Sequence, residues 1–230
     1  ASTVDQIPKQ VSSGMMFGSV SSLPVPDLDR TQYLLILGAN PYESNGSLCT
    51  APDFPGRLEA MQARGGKLVV VDPRKSRTAE QADEWLAIRP GTDALLLAAI
   101  ANTLASDGLD VLEHRLHNYL NGLSEVVAAL ASFTPEAVAT STGIDAATIR
   151  RIARELRDAS SSAVYGRIGT CTTAFGTTAS WLVDVVNIFT GNLDRVGGAM
   201  FSLPVAGSGN THSSPGRGKG FRIGRGHSRV

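Results

Sequence analysis

Four short apolar runs are each followed by a polar loop marked by Gly or Pro, and then by a stretch that suits a helix. They are residues 32–38, around the apolar run Tyr33 to Leu37, then Lys67 to Val71, Trp85 to Ile88 and Ala163 to Ile168. Short apolar runs bounded by turn signals read as buried strands. Strands that alternate with helices make an α/β fold with a mostly parallel, Rossmann-like sheet flanked by helices.

The helical stretches have recognisable ends. Residues 53–64 (DFPGRLEAMQAR) suit a helix that Gly65-Gly66 stops. Residues 79–83 suit a short helical turn. Thr92 is placed to cap a helix through Ala105, with Leu95, Leu96, Ala99, Ile100 and Leu104 as its apolar positions. Residues 109–118 and 123–131 read as two more. Thr134-Pro135-Glu136 is a helix start. Residues 145–158 form the strongest amphipathic pattern, with Ile149, Ile152, Ala153 and Leu156 on one face. A long apolar helix follows over 174–190. Pro24-Val25-Pro26 reads as a breaker, leaving room for at most one helix in residues 4–19. From Asp194 on, Gly and Pro dominate and regular structure is expected to fade. The expected organisation is an N-terminal extension over 1–30, a Rossmann-like nucleotide-binding region over 31–207, and a basic, Gly-rich tail over 208–230.

Composition excludes several classes. The chain has 230 residues, 42% hydrophobic and 18% charged, as a globular core requires. Its net charge is zero but uneven: Arg217, Lys219, Arg222, Arg225 and Arg229 lie in the tail. Removing those five from 21 basic residues leaves 16 against 21 acidic ones in the body. A mildly acidic body is a poor general nucleic-acid binder. The tail's Gly-Arg repeats with one aromatic, Phe221, resemble RNA-binding segments only weakly. Cys49 and Cys171 have no metal-ligand spacing, so reduced thiols and a cytoplasmic setting are expected. No stretch has the length of a membrane span, and the N-terminus does not read as a signal peptide. It also lacks a starting Met, which points to a piece of something longer. His114 and His117 lie three apart on an expected helix, as a metal pair would. No third ligand is near in sequence, so a solvated surface is the expectation.

In open α/β sheets, ligands bind outside the carboxyl ends of the strands. Here those ends are polar. Strand one gives Gly38-Ala39-Asn40-Pro41-Tyr42-Glu43-Ser44-Asn45, strand two Asp72-Pro73-Arg74-Lys75-Ser76, strand three Arg89-Pro90-Gly91-Thr92-Asp93 and strand four Gly166-Arg167-Ile168-Gly169-Thr170. Gly38 would let a ligand approach the backbone. Asn40 and Ser44 supply neutral donors and acceptors. Asp72 suits a ribose hydroxyl or the N–H edge of a guanine, because an ionised carboxylate only accepts. Arg74 and Lys75 suit a diphosphate. Thr92 and Asp93 add donors and a second acceptor at a helix start. Each loop alone reads equally as a turn, a cap or a surface ion pair; their shared position points to a nucleotide with a diphosphate. Neither GxGxxG nor GxxxxGK[ST] is present.

The series LILGANPYESN, VVVDPRKSRTAEQAD, IRPGTDALLLAAI, YGRIGTCTTAFGT and IFTGNLDRVGGAMF resembles the prokaryotic molybdopterin oxidoreductases. These are the dimethyl-sulfoxide-reductase superfamily, and formate-dehydrogenase-like members are the nearest match. The resemblance covers nearly the whole chain, in order. It implies a cofactor of two molybdopterin guanine dinucleotides holding molybdenum or tungsten. It also implies that GANPYESN, with Gly38, Asn40, Glu43, Ser44 and Asn45, wraps a guanine dinucleotide. Asp72, Pro73, Arg74 and Lys75 would reach its ribose, guanine or phosphates, and Gly91, Thr92 and Asp93 would complete the pocket. Ile168 and Thr172 would add further contacts. The family's cysteine-rich segment for a 4Fe-4S cluster has no counterpart here. Its metal ligand would fall just before Ala1, Ser2 reads as an ordinary small residue, and the domain that clamps the second dinucleotide is missing. The resemblance therefore implies a central fragment of an enzyme for two-electron chemistry on a small substrate such as formate. The fragment alone is expected to be inactive, and its partners would be the rest of the polypeptide and an electron-transfer subunit. A freestanding guanine-nucleotide-binding module without redox activity is the alternative.

Overall fold

The computed structural model describes residues 2–49, 51–110, 112, 116 and 118–202. Six strands are present among them: β1 (Pro24–Pro26), β2 (Tyr33–Leu37), β3 (Lys67–Val71), β4 (Glu84–Leu86), β5 (Ser162–Gly166) and β6 (Ala199–Phe201). The central sheet has the order β4-β3-β2-β5 and is parallel throughout. In register, Leu35 lies between Val69 and Val164. Counted along the chain, these four strands stand in the order 3-2-1-4. This is half of the doubly wound arrangement, and the winding reverses between β2 and β5.

The strands read as unbroken apolar runs because both faces are covered. Successive side chains alternate between the two faces. Tyr33, Leu35, Leu37, Val69, Val71 and Val164 enter one core; Leu34, Ile36, Leu68, Val70, Ala163 and Tyr165 enter the other. The second core is closed by Phe54, Leu58 and Met61 of α4 (Phe54–Ala63). Before α4 come α1 (Ser2–Asp5), α2 (Ile7–Phe17) and α3 (Pro41–Ser44); after it comes α5 (Arg77–Glu80). The first core is packed by α6 (Asp93–Asp107), α7 (Leu123–Leu130), α8 (Pro135–Thr142), α9 (Ala146–Asp158) and α10 (Gly176–Phe189). Helix starts are capped by side chains that accept from the backbone: Asp53 from Gly56, Ser76 from Ala79, Thr134 from Ala137 and Asp145 from Thr148. On α9, Ile149, Ile152, Ala153 and Leu156 are fully buried, as the periodicity predicts.

The structure departs from the sequence reading in several places. Pro24-Val25-Pro26 is a strand, paired antiparallel with Ala199–Phe201. An isolated pair of edge strands tolerates Pro, whose missing N–H costs nothing on an unpaired side. Regular structure therefore persists beyond Asp194. Residues 4–19 hold two helical segments, because Pro8 sits in the first turn of α2, where its missing N–H is harmless. The fourth strand stops at Gly166, and Ile168–Thr170 form a 3-10 turn. The helix expected over 109–118 falls largely outside the described residues. So do His114, His117 and the tail 208–230.

The outer edge of β5 is closed by two amide side chains. Asn187 of α10 accepts from the Val164 N–H (2.9 Å) and donates to the Val164 carbonyl (3.0 Å). Asn192 accepts from the Ser162 N–H at 3.2 Å. The side chains thus take the place of a neighbouring strand on an edge that would otherwise present unpaired backbone.

Candidate functional site

All four strand-end loops lie along the carboxyl edge of the sheet, and hydrogen bonds join the β2 loop to the loops on either side of it. At the switch point the Gly38 N–H donates to Val71 O, Arg167 N–H to Leu37 O (3.1 Å) and Gly169 N–H to Gly38 O (2.9 Å). Gly38 has φ +57°, and a Cβ there would sit 2.8 Å from Gly169 Cα and 2.9 Å from Thr170 N. What approaches Gly38 closely is therefore the backbone of the β5 loop. The β2 and β5 loops are thus in backbone contact at the switch point.

In the β2 loop, Asn40 is turned towards α5. Its Oδ1 accepts from Thr78 N–H (3.2 Å) and from the Thr78 hydroxyl. Ser44 donates to Asn40 O (3.2 Å) and is exposed, as is Glu43, which pairs with Arg77 at 3.1 Å. An ion pair this open contributes little stability. Asn45 has φ +51°. Its amide donates to Ala51 O and accepts from Phe54 N–H, so this exposed side chain uses its polar atoms to close the loop. Tyr165 on β5 pins the same loop, donating to Gly46 O (2.7 Å) and accepting from Cys49 N–H (3.2 Å).

In the β3 loop, half-buried Asp72 accepts from Arg74 N–H (2.8 Å), a tight local turn. Trp85 donates its indole N–H to Asp72 O at 2.9 Å, and Lys75 Nζ lies 5.9 Å from the centre of the Trp85 ring. Pro73, Arg74 and Lys75 are exposed. In the β4 loop, Gly91 has φ +81° with open space around its missing Cβ. Thr92 occupies the cap position of α6, but its hydroxyl donates to Arg89 O (2.7 Å) and makes no side-chain cap. Asp93 is 6% exposed. Burial raises its carboxyl above the ordinary value; a hydrogen bond to its own backbone opposes this, and the Asp72 charge adds to it. Asp72 and Asp93 are therefore electrostatic neighbours, and the second carboxylate is held where ionisation is resisted.

In the β5 loop, Ile168 is exposed at φ +33°, an unfavourable conformation for a β-branched residue. Thr172 is exposed and donates to Gly169 O at 3.4 Å. Arg167, which the sequence reading passed over as a site residue, is only 2% exposed. Its Nε donates to Ser47 Oγ at 3.0 Å and its Nη1 to Asp5 O, so it stitches the β5 end to the β2 loop and the N-terminus. These partners are 120 and 162 residues away, which explains why local pattern gives no sign of them. Thr78, which orients Asn40, was missed for the same reason.

Among the described residues no cluster of three or more His, Cys, Asp or Glu could hold a metal, and no helix is long and apolar enough to cross a membrane. A cavity of about 620 Å³ lies between α2, α10 and Phe201, but its mostly apolar lining contains none of the strand-end residues.

Comparison with known proteins matches this architecture. A family model described as molybdopterin oxidoreductase matches residues 2–218. The probable oxidoreductase YjgC of Bacillus subtilis is 31% identical over 191 residues, covering 83% of this chain and 18% of that protein. The F420-dependent formate dehydrogenase 1 subunit alpha of Methanococcus maripaludis is 28% identical, covering 86% and 27%. Acetylene hydratase from Pelobacter acetylenicus superposes with a TM-score of 0.70 at 26% identity, covering 84% of this chain and 25% of that one. The chain thus spans between 18% and 27% of these proteins' lengths. With a family match over residues 2–218 and a fold that superposes on a molybdopterin-enzyme neighbour, this chain belongs to the molybdopterin oxidoreductase family.

Proposed function

We propose that this chain binds the guanine-dinucleotide arm of a bis-molybdopterin guanine dinucleotide cofactor, as one part of a longer oxidoreductase acting on a small substrate such as formate. The observation that carries the reading is the convergence of four polar loops on the carboxyl edge of a 3-2-1-4 sheet at its switch point. The donor set fits the group. A guanine edge presents N–H donors and needs an acceptor-only partner; Asp72 is half-buried, and the single hydrogen bond from Arg74 N–H to its Oδ1 leaves the carboxylate further acceptor capacity. A diphosphate needs exposed cations, and Arg74 and Lys75 adjoin Asp72 in the same loop.

The roles divide by position. Asp72 accepts from the base or ribose, with Arg74 and Lys75 on the phosphates. Gly91, Thr92 and Asp93 close the far side, Asp93 adding a second acceptor. Glu43, Ser44, Ile168 and Thr172 line the crevice mouth, while Gly38, Asn40 and Asn45 hold its loops in shape. When bound, the molybdenum or tungsten centre supplies the two-electron chemistry. Residues 31–207 form the nucleotide-binding region, with 1–30 as its extension and 208–230 as a tail. The remaining polypeptide would carry the metal ligand and the 4Fe-4S cluster, and an electron-transfer subunit would complete a cytoplasmic enzyme. Calorimetric titration of the 230-residue chain with GDP tests this reading. Micromolar binding that Asp72→Ala abolishes supports it. Binding indifferent to Asp72 refutes the assignment of that loop.

A further inference from the structure

The N-terminal segment is tied down by two buried cations, one against α10 and one at the switch point. Lys9 on α2 is 4% exposed, and its Nζ donates to both carboxylate oxygens of Asp184 on α10, at 3.0 and 2.9 Å. Asp184 is 1% exposed; burial pushes its carboxyl above the ordinary value, and the Lys9 charge and hydrogen bonds pull the other way. Around this pair the α2 residues Ser12, Ser13 and Gly14 are buried, as is Ser180 of α10. The second cation is Arg167. It donates to Asp5 O and lies 3.8 Å from Asp5 Oδ2, while its Nε holds Ser47 in the β2 loop.

Buried ion pairs are a poor source of stability, because apolar residues of similar size fill such a space as well or better. What a pair provides is register. One residue of slippage rotates a helix by about 100° and would carry Lys9 away from Asp184. The unpartnered polar atoms point the same way. Three buried side-chain atoms among the described residues lack a hydrogen bond: Asp5 Oδ1, Ser12 Oγ and Thr170 Oγ1. Two lie on the N-terminal segment and one in the β5 loop it touches. Each is unfavourable to bury, so the docked position is held against a local cost.

We propose that residues 5–9 form a third wall of the dinucleotide site, with Lys9, Asp184 and Arg167 as its positioning residues, so that docking of α2 and ordering of the switch-point loops are one coupled event. The proposal rests on the nucleotide reading for the identity of the ligand, and on Arg167 and the buried pair for the coupling.

Hydrogen exchange on the whole chain, with and without GDP, separates the two. In the free protein, Asp184→Asn removes the counter-charge of Lys9 and replaces one of its two acceptors with a donor. Amides of residues 7–17 should then exchange at least tenfold faster, and those of 46–49 and 168–172 should follow through Arg167. GDP should slow exchange at residues 5–9 in the wild type and bind the variant at least tenfold more weakly. Faster exchange confined to α2, with the two loops unchanged, overturns the coupling whether or not GDP binds. A wild type that ignores GDP, yet shows the coupled loop exchange, sinks the nucleotide reading alone. If Asp184→Asn does not fold, Lys9→Met with Asp184→Leu removes both charges and keeps the packing. That protein should fold, lose fixed register in α2 and bind GDP more weakly; unchanged exchange and affinity overturn the proposal.

Discussion

Replacing Gly38 by Ala tests the backbone contact at the switch point. Two costs combine. At φ +57° an L-residue loses about 1–2 kcal/mol. The added Cβ would also meet Gly169 Cα at 2.8 Å, Thr170 N at 2.9 Å and Gly169 C at 3.0 Å, all backbone atoms that cannot rotate away. Forcing such a contact adds about 1–3 kcal/mol. The total, about 2–5 kcal/mol, is a large part of the stability of a typical domain. Two other glycines separate the costs. Gly91 has φ +81° and open space, so Gly91→Ala should lose only the conformational part, about 1–2 kcal/mol. Gly169 is crowded by Gly38 Cα at 2.8 Å without a positive φ, so Gly169→Ala should lose only the crowding part, about 1–3 kcal/mol. The entropy change of the unfolded chain is common to all three and cancels on comparison. With a urea dependence of about 2 kcal/mol per molar, Gly38→Ala should lower the unfolding midpoint by about 1–2.5 M, and Gly91→Ala by no more than about 1 M. If the two midpoints fall equally, the loops do not touch at the switch point.

Asn187→Ala removes both partners of a buried peptide group on β5 and should destabilise by about 2–4 kcal/mol in urea unfolding, with light scattering reporting association through the freed edge. Glu155 lies in a network with Tyr33, Lys67 and Arg151; burial alone would raise its carboxyl, but the hydrogen bonds and the Lys67 charge hold it below its ordinary 4.5. A lowered carboxyl contributes stability above the ordinary value and loses it as pH falls through the folded one, so the stability gap between wild type and Glu155→Gln should be widest near neutrality and narrow in acid. Asp93 has the opposite sign: its raised carboxyl favours folding at low pH and loses that contribution as pH rises, so Asp93→Asn should gain on the wild type between pH 3 and pH 7, measured by thermal unfolding. Burial pushes the Cys49 thiol up to about 12, so a thiol reagent should modify it only as fast as the protein opens.

The sheet was legible because its signal is local. Three of the parallel strands, β2, β3 and β5, are runs of five residues buried on both faces, and a few neighbours suffice to recognise each; β4 is half-buried. The cap at Thr134 was legible for the same reason, whereas Thr92 takes its cap position without a side-chain cap. What escaped were features whose partners lie far away in sequence. Pro24-Val25-Pro26 forms a strand only because Ala199–Phe201 returns beside it. Lys9 has the composition of a solvated position and is buried only because Asp184, 175 residues on, receives it. Arg167 looked like one more polar loop residue, yet it is a tether. Loop residues divided likewise. Arg74 and Lys75 are exposed, whereas Asn40 and Asn45 commit their amides to Thr78, Ala51 and Phe54. A sequence shows that an Asn follows a strand, but not which way its amide points.

The central claim is that the carboxyl edge reads guanine through an acceptor. The measurement that tests it most directly is a competition between GDP and ADP for the 230-residue chain, with inosine diphosphate as a third ligand. GDP and ADP carry the same diphosphate, so Arg74 and Lys75 cannot tell them apart. Only an acceptor such as Asp72 facing the guanine N–H edge can do so. A site built on such a hydrogen bond rejects a base that lacks the donors. The account predicts that GDP binds at least tenfold more tightly than ADP, with inosine diphosphate between them because it keeps one N–H and lacks the amino group. Equal affinities for all three would mean that the loops hold a diphosphate and leave the base unread, which contradicts the account.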